Sequence, residues 1–352
     1  MDKPKRLRKN YNRFLLYFSS IILIIAVISF MFFYKSQKER IVVVYVSHDQ
    51  DYSEPILKEF ENLYGIKVKA VYDTEATKSV GLVNRLIAEK NNPQADVFWN
   101  NEPMRSVLLK KEGILEPYCS PNSIDIPFQY KDEECYFTGF AARARVIIYN
   151  TKKVGENEEP KSIYDLLNPK WKGKICIANP LIGSTSTHLA ALFALLGDEK
   201  VKEFLLKLKE NGVQIVESNS MVRDQVVAGE CYIGLTDTDD AFDAIREGKD
   251  VKMVFPDQES IGTLVFPNTV MLINGAKHEE EGKLLIDFLL SPKVEEELSK
   301  TALQIPLKNS SKFSSELKMY IPEKLKGMNV SFEDIYSKME TAKLFVQEEF
   351  LR

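Results

Sequence analysis

The chain predicts an α/β fold of two lobes, each a mainly parallel sheet flanked by helices, preceded by one apolar N-terminal helix. Three observations predict it. Apolar run, polar break and amphipathic run recur three times between Ile41 and Lys111. A second series of the same kind begins near Arg145. Finally, Phe14 to Tyr34 contains no charged residue, and its 21 positions match a helix of about 30 Å, the thickness of a bilayer's hydrocarbon core.

The basic cluster ahead of that run (Lys3, Lys5, Arg6, Arg8, Lys9, Arg13) should stay cytoplasmic, which puts everything after Lys35 outside. No small-x-small cleavage site follows Tyr34, so the expectation is an uncleaved anchor and a single-pass protein of the cell membrane with its folded part extracytoplasmic. Ile41 to Tyr45 then reads as a strand, Pro55 to Leu63 as a helix ended by Gly65, and Lys67 to Tyr72 as a second strand. Ser79 to Lys90 reads as a helix, Ala95 to Trp99 as a third strand, and a further helix runs through Lys111. In the second series, Val146 to Tyr149, Lys174 to Ala178, Val213 to Glu217 and Cys231 to Leu235 are strands. His188 to Leu196, Val201 to Glu210 and Ser220 to Ala228 are its helices. Val251 to Phe255, Gly262 to Phe266 and Thr269 to Ile273 are strands that return the chain to the first unit, and Phe313 to Phe350 is mostly helical. The resulting division is 1–13 cytoplasmic, 14–34 anchor, 40–142 with 263–307 lobe one, 143–262 lobe two, and 308–352 a C-terminal helical segment.

Charge narrows the function. Residues 1–13 hold six bases against one acid, so the formal net charge of -4 becomes -9 for the remainder. That sign excludes a general nucleic-acid binder. The cysteines Cys119, Cys135, Cys176 and Cys231 lack zinc-site spacing. Cys119 and Cys135 bracket a polar loop and could be bridged in an oxidising compartment, while Cys176 and Cys231 read as buried neighbours.

Candidate site residues cluster at strand ends, where ligands of open α/β sheets bind. Asp237, Asp239 and Asp240 follow the strand ending at Leu235 and suggest a metal cation or the amine of a small molecule. His48, Glu75 and Glu102 lie beyond first-lobe strands and would oppose them, with Thr77 and Trp99 nearby, the latter as an aromatic wall. Ser184, Thr185, Ser186 and Thr187 open a helix after Gly183 and would offer donors to an anion or to ligand oxygens. Asn219 or Ser220 should cap the next helix, and Arg223 either clamps an anion or pairs with its acidic neighbours. No dinucleotide fingerprint, G-x-S-x-G elbow or H-E-x-x-H motif is present, and the carboxylates have no companion nucleophile, so no catalytic residue is assigned.

In their order along the chain, Ile41 to His48, Gln94 to Trp99, Arg143 to Asn150, Trp171 to Pro180, Gly183 to His188, Gly234 to Asp237 and Pro267 to Thr269 resemble an extracellular solute-binding protein of a bacterial ABC importer. The branch is the one that includes the ferric-iron-binding proteins. The resemblance, from about Ile41 to Leu307, implies a periplasmic-binding-protein-like fold closing on one ligand, delivered to a permease and its ATPase. It further implies iron or a divalent ion with a companion anion; a small zwitterion such as an aminoalkylphosphonate is the rival ligand, and a sensor that kept the binding fold is the rival role. One departure stands out. Where the ferric-iron binders carry two adjacent tyrosines, this chain reads Thr236-Asp237-Thr238-Asp239-Asp240.

Overall fold

The computed structural model describes residues 39–73 and 80–352. Strand β1 (Ile41–Val46) and helix α1 (Gln50–Tyr64) are followed by β2 (Lys67–Tyr72), α2 (Val80–Ala88), β3 (Val97–Asn100), α3 (Pro103–Lys111) and β4 (Leu115–Glu116). The long β5 (Thr138–Asn150) leads to β6 (Ile175–Ala178), α4 (Gly183–Leu196), α5 (Asp198–Glu210), β7 (Gln214–Val216), α6 (Asn219–Ala228) and β8 (Ile233–Asp237). Next come α7 (Thr238–Arg246), β9 (Val251–Val254), β10 (Val265–Ile273), α8 (Glu279–Leu289), α9 (Pro292–Thr301) and α10 (Phe332–Phe345).

The strands follow the order β2-β1-β3-β10-β5-β8-β6-β7, with β4 added to β10 and β9 to β5. Parallel pairing holds for β1 with β3, and for β6 with both β7 and β8. The junction is antiparallel: β10 against β3, β4 and β5, then β5 against β8 and β9. The sheets are therefore mixed, a correction to the mainly parallel arrangement expected. The reason is that β5 and β10 are single long strands running through both lobes. Their continuous apolar character looks the same in either pairing, because a strand buried on both faces shows no alternation.

Where β5 and β10 cross between lobes, the ladder slips at Pro267 and Asn268. Opposite, Ala141 is held at φ 41°, a left-handed conformation that L-residues avoid. The fully buried Glu295 helps hold it. Its carboxylate accepts from the N–H groups of Ala141 (3.0 Å), Leu307 (2.9 Å) and Lys308 (3.1 Å) and from the Ser311 hydroxyl (2.7 Å). Asn268 donates to the Ala141 carbonyl from the other side.

Three local expectations change. Val265–Ile273 is one strand bent at Pro267, not two. Ser218, rather than Asn219 or Ser220, caps α6, its Oγ accepting from the Met221 N–H at 3.1 Å. Between α9 and α10 the tail is largely irregular, with one 3-10 turn at Leu317–Met319, so the segment from 308 is less helical than its composition suggests. Cys119 and Cys135 form a disulfide, while Cys176 and Cys231 are buried free thiols.

Among the described residues no helix is long and apolar enough to cross a membrane. The longest, α1 with 15 residues, spans about 22 Å and is amphipathic. The anchor expected over 14–34 and the basic segment 1–13 lie outside the described residues. The transmembrane helix, the membrane as a partner and single-pass localisation are therefore not carried beyond the sequence: no membrane-spanning helix lies among the described residues, whose architecture is the two-lobed fold.

Replacing Glu295 with alanine orphans three buried N–H groups, and urea unfolding should show a loss of about 3 kcal/mol or more. Reducing the Cys119–Cys135 bridge, which closes a loop of sequence separation 16, should cost about 3 kcal/mol in the same assay.

Candidate functional site

Arg145 lies on β5 with no exposed surface, and its guanidinium organises one wall of the interlobe cleft. It donates to Asp237 Oδ1 at 2.5 Å, Asn219 Oδ1 at 2.9 Å and Ser184 Oγ at 3.1 Å. Its other terminal nitrogen donates to the Leu235 carbonyl (3.1 Å) and Thr185 Oγ1 (3.3 Å). Asp237 Oδ2 in turn accepts from Ser184 Oγ (2.7 Å) and Asn219 Nδ2 (2.9 Å). The ends of β8, α4 and α6 are thus tied into one network. Gly234 allows that approach, since a Cβ there would lie 2.4 Å from a Val222 methyl.

Two cavities open from the cleft, and Arg143 and Asn101 line both. The larger, 730 Å³, has the first turn of α4 on one wall and Glu102 and Arg105 facing it from lobe one. Small-molecule sites commonly have volumes of about 300–1,000 Å³. Glu102 caps α3, accepting from the Met104 (3.1 Å) and Arg105 (3.3 Å) N–H groups, and receives the Thr187 hydroxyl across the cleft at 3.1 Å. Burial pushes its pKa up, partly offset by those donors.

The smaller cavity, 120 Å³, is lined by His48, Tyr52, Asp239, Arg246 and Gln304 besides Arg143. Gln304 Nε2 lies 2.7 Å from His48 Nε2, and Gln304 Oε1 accepts from Asn268 Nδ2 at 2.8 Å. That direction of donation leaves the proton of His48 on Nδ1, 3.3 Å from the Asp49 carbonyl. Burial lowers the His48 pKa to about 4, so the ring is neutral at pH 7.

Asp237, Asp239 and Asp240 each present an oxygen within 4.8 Å of the others. Arg143 donates to Asp239 Oδ2 at 3.2 Å and to the Asn101 carbonyl at 2.8 Å, while Asp239 Oδ1 is buried without a hydrogen-bond partner. Burial, then the charges of Asp239 and Asp237, raise the Asp240 pKa to about 8. Three carboxylates this close repel one another unless protonated or bridged by a cation. The group can therefore coordinate a metal ion through hard oxygen donors.

Of the residues singled out from sequence, Glu102, Ser184 to Thr187, Asn219 and Asp237 line the larger cavity, and His48 and Asp239 the smaller. Asp240, Ser220 and Arg223 line neither. Ser220 faces the Ser218 hydroxyl, and Arg223 pairs with Asp224 at 2.8 Å and Asp243 at 3.6 Å. Trp99 is wholly buried, packed against His48 and Phe140, so it belongs to the core rather than the cleft. Glu75 and Thr77 lie outside the described residues. Sequence reasoning missed Arg143 and Arg145 as site residues. Their spacing of two inside an apolar strand was the available signal, because a charge in a strand buried on both faces needs a partner.

Removing Arg145 leaves Asp237 buried and uncompensated. Arg145→Met should cost about 3–5 kcal/mol by denaturant unfolding, and adding Asp237→Leu should recover much of it.

A family model described as bacterial extracellular solute-binding protein matches residues 92–338. Among curated relatives, the chain is 27% identical over 282 residues to iron uptake protein A1 of Synechocystis sp., covering 77% of this chain and 76% of that one. It is 28% identical over 290 residues to a putative 2-aminoethylphosphonate-binding periplasmic protein of Salmonella typhimurium, covering 80% and 83%. Among solved structures it resembles ferric iron-binding protein A of Mannheimia haemolytica in an open conformation, with a TM-score of 0.79, 25% identity, and 88% and 98% of the two chains covered. With the two-lobed fold and cleft described above, these likenesses show that the chain belongs to the bacterial extracellular solute-binding proteins and is the extracytoplasmic, non-catalytic substrate-binding component of an ABC importer.

Proposed function

We propose that the cleft captures a hard metal cation, ferric iron by preference, together with a companion oxyanion, for transfer to a cognate permease and its ATPase. The observation that carries this reading is the trio Asp237, Asp239 and Asp240, in which one buried oxygen of Asp239 has no partner. Asp239 and Asp240 would supply the first oxygen ligands. Asp237 is already neutralised by Arg145, so it would contribute mainly negative potential. The first turn of α4 has no side-chain cap and suits the oxyanion chiefly through its backbone N–H groups, since the Ser184, Thr185 and Thr187 hydroxyls already engage Asp237, Arg145 and Glu102. His48 Nε2 is engaged by Gln304 and would join only if that amide turned away. Residues 143–262 would swing as lobe two about β5 and β10, against a lobe one of 40–142 and 263–307.

A second reading is favoured by Arg143. It stands between the cavities and already partners Asp239, an arrangement suited to a small solute with an anionic end in the larger cavity and an amine against the carboxylates. An aminoalkylphosphonate has that chemistry, and the phosphonate-binding relative supports this reading as the iron proteins support the first. Calorimetric titration with Fe³⁺, Ca²⁺ and 2-aminoethylphosphonate separates them. Unchanged affinity for every ligand in Asp239→Ala and Asp240→Ala would remove the cation subsite from either reading.

Asp240 also gives a signed pH dependence. A cation must displace its proton, so metal affinity should rise by about tenfold per pH unit up to about pH 8 and then level. In the ligand-free protein the folded state holds that proton more tightly than the unfolded chain, whose Asp titrates near 3.8. This group's contribution to stability is therefore lost as pH rises from about 4 to about 8. Melting curves should show that decline flattened in Asp240→Asn.

A further inference from the structure

The C-terminal helix α10 stands apart from both sheets yet reaches both lobes. Toward lobe one, Phe332 packs against Phe137 at 6.3 Å between ring centres, and Lys111 lies 4.4 Å above the Tyr336 ring. Toward lobe two, Phe345 meets Phe193 at 6.2 Å, Lys338 pairs with Asp198 at 2.7 Å, and Lys209 donates to the Glu349 carbonyl at 2.8 Å. Buried Val346 and Phe350 fix the far end. Between these anchors, Tyr336, Met339, Glu340 and Lys343 line the larger cavity.

The inner face of that wall carries a usable charge. Lys343 reaches Glu340 only at 3.5 Å, with the two side chains 48% and 69% exposed, a loose surface pair worth little to either partner. Arg105 on α3 and Arg143 on β5 line the same cavity, so cations from three elements share it with Glu102, Glu217, Asp237 and Glu340, of which Asp237 is already paired with Arg145 and Glu102 caps α3. Each lobe contributes one face and the C-terminal helix closes a third.

We propose that α10 is part of the ligand site and that Lys343 is a specificity-determining residue, selecting the oxyanion of the bound ligand. This rests on the cleft reading above and adds to it a discriminating group outside both lobes. A long-stemmed ammonium at the rim can follow an anion as the cleft closes, whereas the buried Arg145 cannot move.

The test is calorimetric titration of the full-length protein and its Lys343→Gln and Lys343→Arg variants with inorganic phosphate, 2-aminoethylphosphonate and Fe³⁺ separately. Lys343→Gln should weaken the two phosphorus probes by about tenfold, leave Fe³⁺ binding and the melting temperature unchanged, and be rescued by Lys343→Arg. Unchanged phosphorus-probe affinity in Lys343→Gln overturns the assignment to α10 alone. Equal weakening of all three probes overturns it too, since that marks an effect on lobe closure. Wild-type binding of Fe³⁺ but neither phosphorus probe removes the oxyanion role while the cation reading stands. No binding of any probe by the wild type overturns both.

Discussion

A guanidinium with no access to water must find its partners inside the protein, and for Arg145 those partners come from every element that forms the lobe-two wall. Its bonds to Asp237, Asn219, Ser184, Thr185 and the Leu235 carbonyl set the first turn of α4 against the end of β8 and the start of α6. Such a pair contributes little net stability, because desolvation offsets the Coulomb attraction. Its effect is geometric. The network can be satisfied in few arrangements, so the Ser184 and Thr185 hydroxyls are held in one orientation at the cleft wall.

The same strand carries Arg143 two residues earlier, on the same face and nearer the crossover. Arg145 is consumed by the fold, whereas Arg143 touches both lobes through Asn101 and Asp239 and lines both cavities. Ala141, strained and held by Glu295 and Asn268, lies a further two residues back at the slip in the ladder. Positions 141, 143 and 145 of one strand therefore carry the crossover strain, the cleft arginine and the scaffold arginine. Bending of β5 would reach the ligand space through no more than four residues.

Much of the site could be read along the chain because its parts follow strands directly. Ser184 to Thr187 and Asp237 to Asp240 each sit where an apolar run stops, and Ser184 to Thr187, Asp237 and Asp239 border the cleft. Trp99 followed the same rule and failed it, since its side chain turns into the core beside Phe140. Arg223 was ambiguous between a clamp and a surface pair, and its distances to Asp224 and Asp243 decide for the pair. The C-terminal helix was legible as a helix but not as a wall of the cavity. Nothing local in Tyr336 to Lys343 announces a cavity, because the wall exists only when α3 and α4 are brought up to it.

The sequence by itself determined the alternation of strands and helices, the acidic end of β8, the hydroxyl-rich start of α4 and the resemblance to solute-binding proteins. These are local patterns, written in the period of apolar residues and in the few types that cap helices or end strands. Only the tertiary structure decided which strands run through both lobes, which carboxylate is neutralised by Arg145 and which keeps an unpartnered oxygen, and that α10 walls the cavity. Those outcomes depend on contacts between residues tens to hundreds of positions apart. The pairing of two charges across such a distance leaves no periodicity for the chain to display.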